Sequence, residues 1–377
     1  MKNKYLISGV GPSHFGVGRL VQHLIPLAQS SDYKIVTRYP LSLKYLLAKK
    51  QYLQASIEII RWLLKKITFE IETKFIRNAE VILIHPQTIG FPLFFRLIKQ
   101  NRRIKHFVMD NSFFCIKSYN QIAGRECLLC LGDSQNCQTA CKPFPVTYPK
   151  GENLKFVNEL KNLPHQIEFF TQCQAQTGLL KKHFGADIEV QTIGMDTGEF
   201  NVDDKPMVKT TRNKKLLVYH AAIDEAKGFG YLVALSRYLT DFTILVPGSR
   251  SEAEKRFPAI NFNEITNIHF EPMTWDTGLQ QKIMAAAVVL CPSVWSAPVE
   301  GALLKSLVYN GNVAVYNSAY SFQSEIPDNT IIRLDENIES SANKIKHHIA
   351  QQLDYAPQSK QWLQQYFAGI CLEKLFE

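Results

Sequence analysis

Tyr5-Leu6-Ile7-Ser8-Gly9-Val10-Gly11-Pro12-Ser13-His14-Phe15-Gly16-Val17-Gly18-Arg19 opens the chain's first structural unit. A short apolar run, Tyr5–Val10, enters a glycine-rich turn. From Gly16 to Ala28 the apolar residues then recur at helical spacing, so the stretch predicts a strand, a turn and a helix. A dinucleotide fingerprint needs Gly-x-Gly-x-x-Gly, but His14 stands at the last glycine. A phosphate-gripping P-loop needs Gly-Lys-Ser/Thr, and Gly16 is followed by Val17 and Gly18. What remains is a strand-to-helix turn whose free N–H groups can approach an anion or a sugar closely. Gly16, Val17 and Gly18 are the candidates for an acceptor or phosphate contact. The plainer reading is a tight turn without a ligand.

The same alternation continues outward. Strands are predicted over 33–37, 81–84 and 104–109, and helices over 43–77 and 91–99. Residues 115–150 interrupt it. A strand over 167–171, a helix over 174–183 and a strand over 188–193 resume it. Asn201–Asn213 is polar and holds Pro206, which marks a linker. A second alternating half follows, with strands over 216–220, 242–247, 268–271, 288–292 and 313–316 and helices over 230–238, 279–286 and 301–309. Strands that alternate with helices imply parallel sheets covered on both faces. The fold class is therefore α/β, with two Rossmann-like domains facing a central cleft. The expected division is residues 1–200 with a Cys-rich insert at 115–146, a linker at 201–213, and a second domain at 214–357. The final segment, 358–377, is expected to hold a helix near Lys360–Phe376 that crosses back to the first domain.

With 377 residues, 46% of them hydrophobic and 20% charged, the chain is of globular composition, which excludes disordered and fibrous classes. The longest apolar run, Ile283–Cys291, is far short of the ~20 residues of a membrane span. The N-terminal apolar run is too short for a signal peptide, so the expectation is a cytoplasmic protein. A net charge of +9 suits an anionic partner. No recognised nucleic-acid-binding module accompanies that charge, so no nucleic-acid partner is expected.

Several segments, in order, resemble the retaining glycosyltransferases of family 4, also called glycosyl transferases group 1. Gly16-Val17-Gly18-Arg19-Leu20 resembles their N-terminal loop. Ile193-Gly194-Met195-Asp196-Thr197-Gly198-Glu199-Phe200 resembles the Asn-Gly-Val-Asp-x-x-x-Phe segment before the linker. Asp224-Glu225-Ala226-Lys227-Gly228 resembles the Glu-Lys-Gly element, and Asn267-Ile268-His269-Phe270 resembles a later strand. Ala286–Ser293 resembles Ala-Asp-x-x-x-x-Pro-Ser, and Gly311 with Val313 resembles a Gly-x-Pro-Val strand start. The resemblance implies a GT-B fold. It also implies a nucleotide-diphosphate sugar donor held by the second domain, and transfer with retention to a glycan or lipid-linked acceptor held by the first. Polysaccharide or glycolipid assembly would be the setting.

The family neutralises the departing diphosphate with an Arg and a Lys. Lys227 matches the Lys, beside Gly228, but the Arg position holds Ala222; His220 is a candidate replacement. The family's paired Glu positions hold Ala297 and Lys305, and Glu300 stands where Gly is usual. Gly301 and Ala302 open a helix whose N–H groups could cap a phosphate. This implies a re-wired donor pocket, with Glu300 and Lys305 contacting sugar, ribose or phosphate. Alternatively, Glu300 only complements the helix dipole and Lys305 is a solvated lysine. Asp110 follows a buried strand at the place of the family's His-Asp and is a candidate to orient the acceptor; a turn aspartate is the alternative. No catalytic metal is expected if Lys227 and helix N-termini carry the charge. The missing Glu pair also fits a non-catalytic subunit that binds a glycan or a partner enzyme.

Five of eight cysteines fall between Cys115 and Cys141. Cys127-x2-Cys130-x6-Cys137-x3-Cys141 can supply four thiolates to a structural zinc. The alternatives are unligated or redox thiols and an iron–sulfur centre. Finally, 43–77 alternates Leu, Ile, Tyr and Trp62 with Lys44, Lys49, Arg61, Lys65, Lys66 and Lys74. Such basic amphipathic character suits an anionic membrane surface, or simply a solvated helix face over the core.

Overall fold

The computed structural model describes residues 3–13, 16–39, 43, 50–144, 148–199 and 212–377. Two six-stranded parallel sheets dominate it. The first runs in the order β2-β1-β3-β4-β7-β8, from β1 (Lys4–Ser8), β2 (Lys34–Thr37), β3 (Glu80–Ile84), β4 (Arg103–Phe107), β7 (Glu168–Thr171) and β8 (Val190–Thr192). The second runs β11-β10-β9-β12-β13-β14, from β9 (Asn213–Tyr219), β10 (Thr243–Val246), β11 (Ile268–Phe270), β12 (Ala286–Cys291), β13 (Val313–Tyr316) and β14 (Ile332–Leu334). Each sheet reverses its direction of growth beside its first strand, at β1/β3 and at β9/β12. Ligands bind beyond the strand ends at such switch points.

The strands read as continuous apolar runs because both faces are covered. Val81 to Ile84 and Val288 to Leu290 are fully buried. One buried charge is matched: the Lys105 ammonium on β4 lies 2.8 Å from Glu80 and donates to the Leu375 carbonyl at 3.1 Å. Leu375 belongs to the chain's last turn, Leu372–Phe376. That turn packs on the first sheet, with the Phe376 ring 5.3 Å from Tyr33 and the Cys371 N–H donating to Ile193.

Several expected boundaries move. β1 ends at Ser8, not Val10, because the Ser8 hydroxyl turns back to accept the Val10 N–H at 3.1 Å. The helix expected over 43–77 is a helix from Tyr52 to Lys74; Lys44 and Lys49 lie outside the described residues. The linker 201–213 lies outside them as far as residue 211, and Asn213 is already in β9. The terminal helix starts at Ala356 and stops at Ala368, short of Phe376. Between β4 and β7 lies the irregular insert, whose described residues from Cys115 to Phe144 hold a two-residue hairpin pair, β5 (Gln121–Ile122) and β6 (Arg125–Glu126), and one turn, Ser134–Asn136; the helix Lys150–Lys161 follows it. β14 and the helices Arg250–Arg256 and Ile338–Ala350 carry too short or too polar a pattern to be read from sequence.

Candidate functional site

The carboxyl ends of β1, β3, β4, β9 and β12 converge on one cavity of about 680 Å³ between the two sheets. That is the size of a ligand site for a small molecule. The first domain contributes Gly16, Val17, Arg19, His85 and Asp110; the second contributes His220, Lys227, Glu300, Gly301, Ala302 and Lys305.

Lys227 follows β9 and lies only 19% exposed, paired with the Glu300 carboxylate. Its ammonium also sits 4.9 Å from the Tyr119 ring and 5.1 Å from the Trp295 ring. Burial alone would lower its pKa, but the Glu300 carboxylate outweighs that effect and the net shift is upward. The lysine is therefore held charged. Glu300 is the residue before the Gly301–Tyr309 helix, yet its carboxylate makes no capping bond and turns to Lys227 instead. The first two residues of that helix, Gly301 and Ala302, line the cavity.

Lys305 is not a solvated lysine. It is 15% exposed, 2.7 Å from Glu199 and 4.7 Å from the Trp275 ring. Glu199 also pairs with Arg19 on the first domain's opening helix, so one carboxylate joins cations from both domains. His220 is buried, with Nδ1 2.8 Å from the Ser306 hydroxyl and its ring stacked on Trp275. Burial first, and then the charge of Lys305, depress its pKa to about 3, so it stays neutral.

Asp110 is 7% exposed. One oxygen accepts the Ser112 N–H at 3.0 Å, a turn role; the other lies 3.9 Å from His85 Nε2, within the cavity. His85 was missed by sequence reasoning. It follows β3 with φ 61°, and its Nδ1 lies 2.8 Å from the Thr88 hydroxyl. A His thus stands beside Asp110 after all, supplied by the neighbouring strand and not by the preceding residue. Arg19, Glu199, Tyr119, Trp275 and Trp295 were likewise unread. Only the Gly-Arg and Asp-Thr-Gly-Glu segments hinted at the first two.

Two of the glycines are placed by packing. A Cβ on Gly228 (φ +75°) would stand 1.9 Å from the Pro292 carbonyl oxygen, and one on Gly18 would stand 2.1 Å from Ser13 Oγ. Neither lines the cavity. Gly16 does, and a Cβ there would meet nothing within 4 Å. His14 lies outside the described residues. Ala297, at the place of the family's first Glu, is buried in a small apolar cluster with Ala226 and Trp295, behind the cavity wall that Trp295 forms.

No family model and no curated protein matches the chain. Solved structures do. Sucrose-phosphate synthase from Thermosynechococcus elongatus aligns over 100% of this chain and 96% of its own, with TM-score 0.65 and 12% identity. The chain has the GT-B fold. HepE from Anabaena, solved in complex with UDP-glucose, aligns over 99% of this chain and 97% of its own, with TM-score 0.56 and 12% identity. The α,α-trehalose 6-phosphate synthase of Burkholderia multivorans aligns over 100% and 96%, with TM-score 0.57 and 10% identity.

Proposed function

We propose that the chain is a glycosyltransferase that moves a hexosyl group from a nucleotide-diphosphate sugar to a glycan or lipid-linked acceptor with retention. The observation that carries the proposal is a charged lysine, Lys227, beside the N-terminus of the Gly301–Tyr309 helix at the second sheet's switch point. A cation and aimed N–H groups stabilise the charge that grows on a departing diphosphate. The complexes of HepE with UDP-glucose and of the pneumococcal O-GlcNAc transferase GtfA with UDP and GlcNAc support this kind of donor.

In this reading, the bond between the sugar's anomeric carbon and the diphosphate oxygen breaks while an acceptor hydroxyl oxygen bonds to that carbon from the same face. The hydroxyl proton passes to the departing phosphate oxygen. Lys227 shifts from Glu300 toward the diphosphate, and Glu300 is freed to accept from a sugar or ribose hydroxyl. Asp110 and His85 orient the acceptor hydroxyl across the cavity, beside the open backbone at Gly16 and Val17. The charge supplied by Lys227 leaves no step that calls for a catalytic metal.

The Tyr52–Lys74 helix supports a membrane-bound acceptor. Leu53, Ile57, Ile60, Leu64, Ile67 and Ile71 are each at least 49% exposed and fall at 3- and 4-residue spacing on one face. Lys65, Lys66 and Trp62 lie on the same helix, with the Lys66 ammonium 5.2 Å from the Trp62 ring. An exposed apolar helix face flanked by lysines can lie flat on an anionic bilayer. Beneath it, Arg38, Lys66, Trp62 and Tyr148 line a groove of about 270 Å³ that adjoins Gln87 and Thr88. That groove could admit the phosphate of a lipid-linked acceptor. No helix among the described residues is long and apolar enough to cross a membrane.

The test measures nucleoside-diphosphate affinity and sugar transfer for Lys227→Ala and Glu300→Gln. Removing a charge-assisted contact costs roughly 1.5–3 kcal/mol, about ten- to hundredfold. The rate should suffer more than ground-state affinity. If Lys227→Ala binds and transfers as wild type does, the donor site is elsewhere. A second reading, a binding subunit without transfer, is favoured by Ala297 and Lys305 at the Glu positions. Nucleoside-diphosphate binding with neither transfer nor hydrolysis, across a screen of nucleotide-sugars, would establish it.

A further inference from the structure

The insert between β4 and β7 is ordered with little to order it. From Cys115 to Phe144 it holds two two-residue strands and one three-residue turn. A stretch this long without regular structure is uncommon in a compact domain unless something staples it. Cys115, Cys127, Cys130, Cys137 and Cys141 all line a single small cavity of about 10 Å³ within it. All five are free thiols. Cys130 is within electrostatic reach of Cys127, Cys137 and Cys141, and Cys115 is within reach of Cys127, Cys130 and Cys141. The fifth cysteine, Cys115, comes from the other side of the insert, before the β5–β6 hairpin. Among the described residues, no group of three or more His, Cys, Asp or Glu side chains is already arranged to hold a metal ion. The five thiols line one small cavity and would have to draw together about a bound metal.

We propose that this enclosure is a thiolate-bound metal centre, in which four of the five cysteines hold a soft metal. Thiolates select zinc or iron–sulfur chemistry. Zinc would draw four of the sulfurs inward to a tetrahedron, whereas a larger iron–sulfur cluster would need the loop to widen around it. Either closes the loop by binding energy that is also folding energy.

The stapled loop reaches the opposite domain. Asn120 donates to the Ser296 hydroxyl at 2.8 Å, Ser296 and Ser318 donate to Glu126 at 2.5 and 2.6 Å, and Gln121 donates to Glu225 at 2.7 Å. Tyr119 packs against Trp295, its ring tilted by 33° with centroids 4.3 Å apart, and covers Lys227. The centre therefore sets the loop that bridges the cleft and packs against Lys227.

The experiment takes the full chain purified anaerobically without added metal, and measures metal and acid-labile sulfide per chain together with the visible absorption spectrum. About one zinc, with no sulfide and no colour, identifies a zinc site. Iron with matching sulfide and a brown absorption identifies a cluster. Cys130→Ser should lose the metal, and one of Cys115→Ser and Cys141→Ser should keep it. Should Cys130→Ser fail to fold, a mercurial thiol reagent on the wild-type chain should release the metal as the thiols titrate. The treated chain should then show faster proteolysis within 115–144. A metal-free chain with five reactive thiols, or with these cysteines joined as disulfides, overturns the proposal. The metal readouts are independent of the proposed transferase reaction. A loss of nucleoside-diphosphate affinity on metal release is a separate readout that rests on that reading.

Discussion

The cleft's two sides begin with the same device, a strand running into a glycine turn and a helix, yet they use it differently. In the first domain Gly16 faces the cavity with open space around it, beside Val17, His85 and Asp110, and the Arg19 cation it brings is paired with Glu199. In the second domain Gly228 is jammed against Pro292, and the cavity wall is built from Lys227, Glu300 and Lys305. One side offers backbone with the His85 and Asp110 side chains; the other offers two lysines, Lys227 and Lys305, each held by a carboxylate. A hydroxyl acceptor needs orientation, whereas a departing diphosphate needs neutralisation, so the asymmetry fits the division of labour proposed above.

Acid should affect both sides alike, and most strongly. Burial lowers the pKa values of His106 and His183 in the first domain to about 4, and those of His220 and His348 in the second to about 3 and about 4. Each is neutral in the folded chain and takes up a proton on unfolding once the pH is below ~6.5. Their stabilising contribution is thus present above pH ~6.5 and is lost as the pH falls toward 4. At pH 5 each group should cost roughly 1–2 kcal/mol. Thermal unfolding should show Tm falling steadily from pH 7 to pH 4.5. A flat profile would remove these histidines from the ledger of both domains.

The glycines should then separate the two sides. Gly228→Ala adds a Cβ at positive φ against a backbone oxygen, at a cost of about 3 kcal/mol or more. Gly16→Ala has only the positive φ to accommodate, about 1 kcal/mol. Chemical denaturation should rank them in that order, and equal losses would break the comparison. The Gly16 variant should still raise the KM for the acceptor while leaving nucleoside-diphosphate affinity unchanged. Asp110→Asn should lower transfer by roughly a hundredfold, the lower end for a positioned acid–base group, again without weakening nucleotide binding.

The smallest expected change in stability concerns the exposed helix. Ile60→Glu with Ile67→Glu should alter stability by less than about 0.5 kcal/mol, because both side chains face solvent. Co-sedimentation with vesicles rich in anionic lipid should nevertheless be lost in that variant, and for the wild type it should fall with salt. Equal binding of wild type and variant would detach membrane docking from this helix.

How much was legible can be judged from particular residues. The strand Val81–Ile84 and the helix Gly301–Tyr309 were readable to within a residue, since burial on both faces and helical spacing are local patterns. Lys227 and Glu300 were readable as candidates from the turns they occupy. Their pairing was not, because 73 residues separate them. His85 was invisible because its role depends on Asp110, on the next strand of the sheet. Gly18 and Gly228 appeared to be ligand contacts because a glycine needed for close packing looks the same in sequence as one kept open for a ligand.

The sequence by itself determined the alternation of strands and helices, the two-half organisation and the turns at which chemistry could sit. These depend on periodicity and on residue types within a few positions of one another. Only the tertiary structure decided which turns meet. The strand order brings the ends of β1, β3, β4, β9 and β12 to one cavity, sets Arg19 and Lys305 on the same Glu199, and folds the insert so that Tyr119 covers Lys227. Those contacts are decided by packing between distant segments, where charge and burial act over ångströms of space and not over positions in the chain.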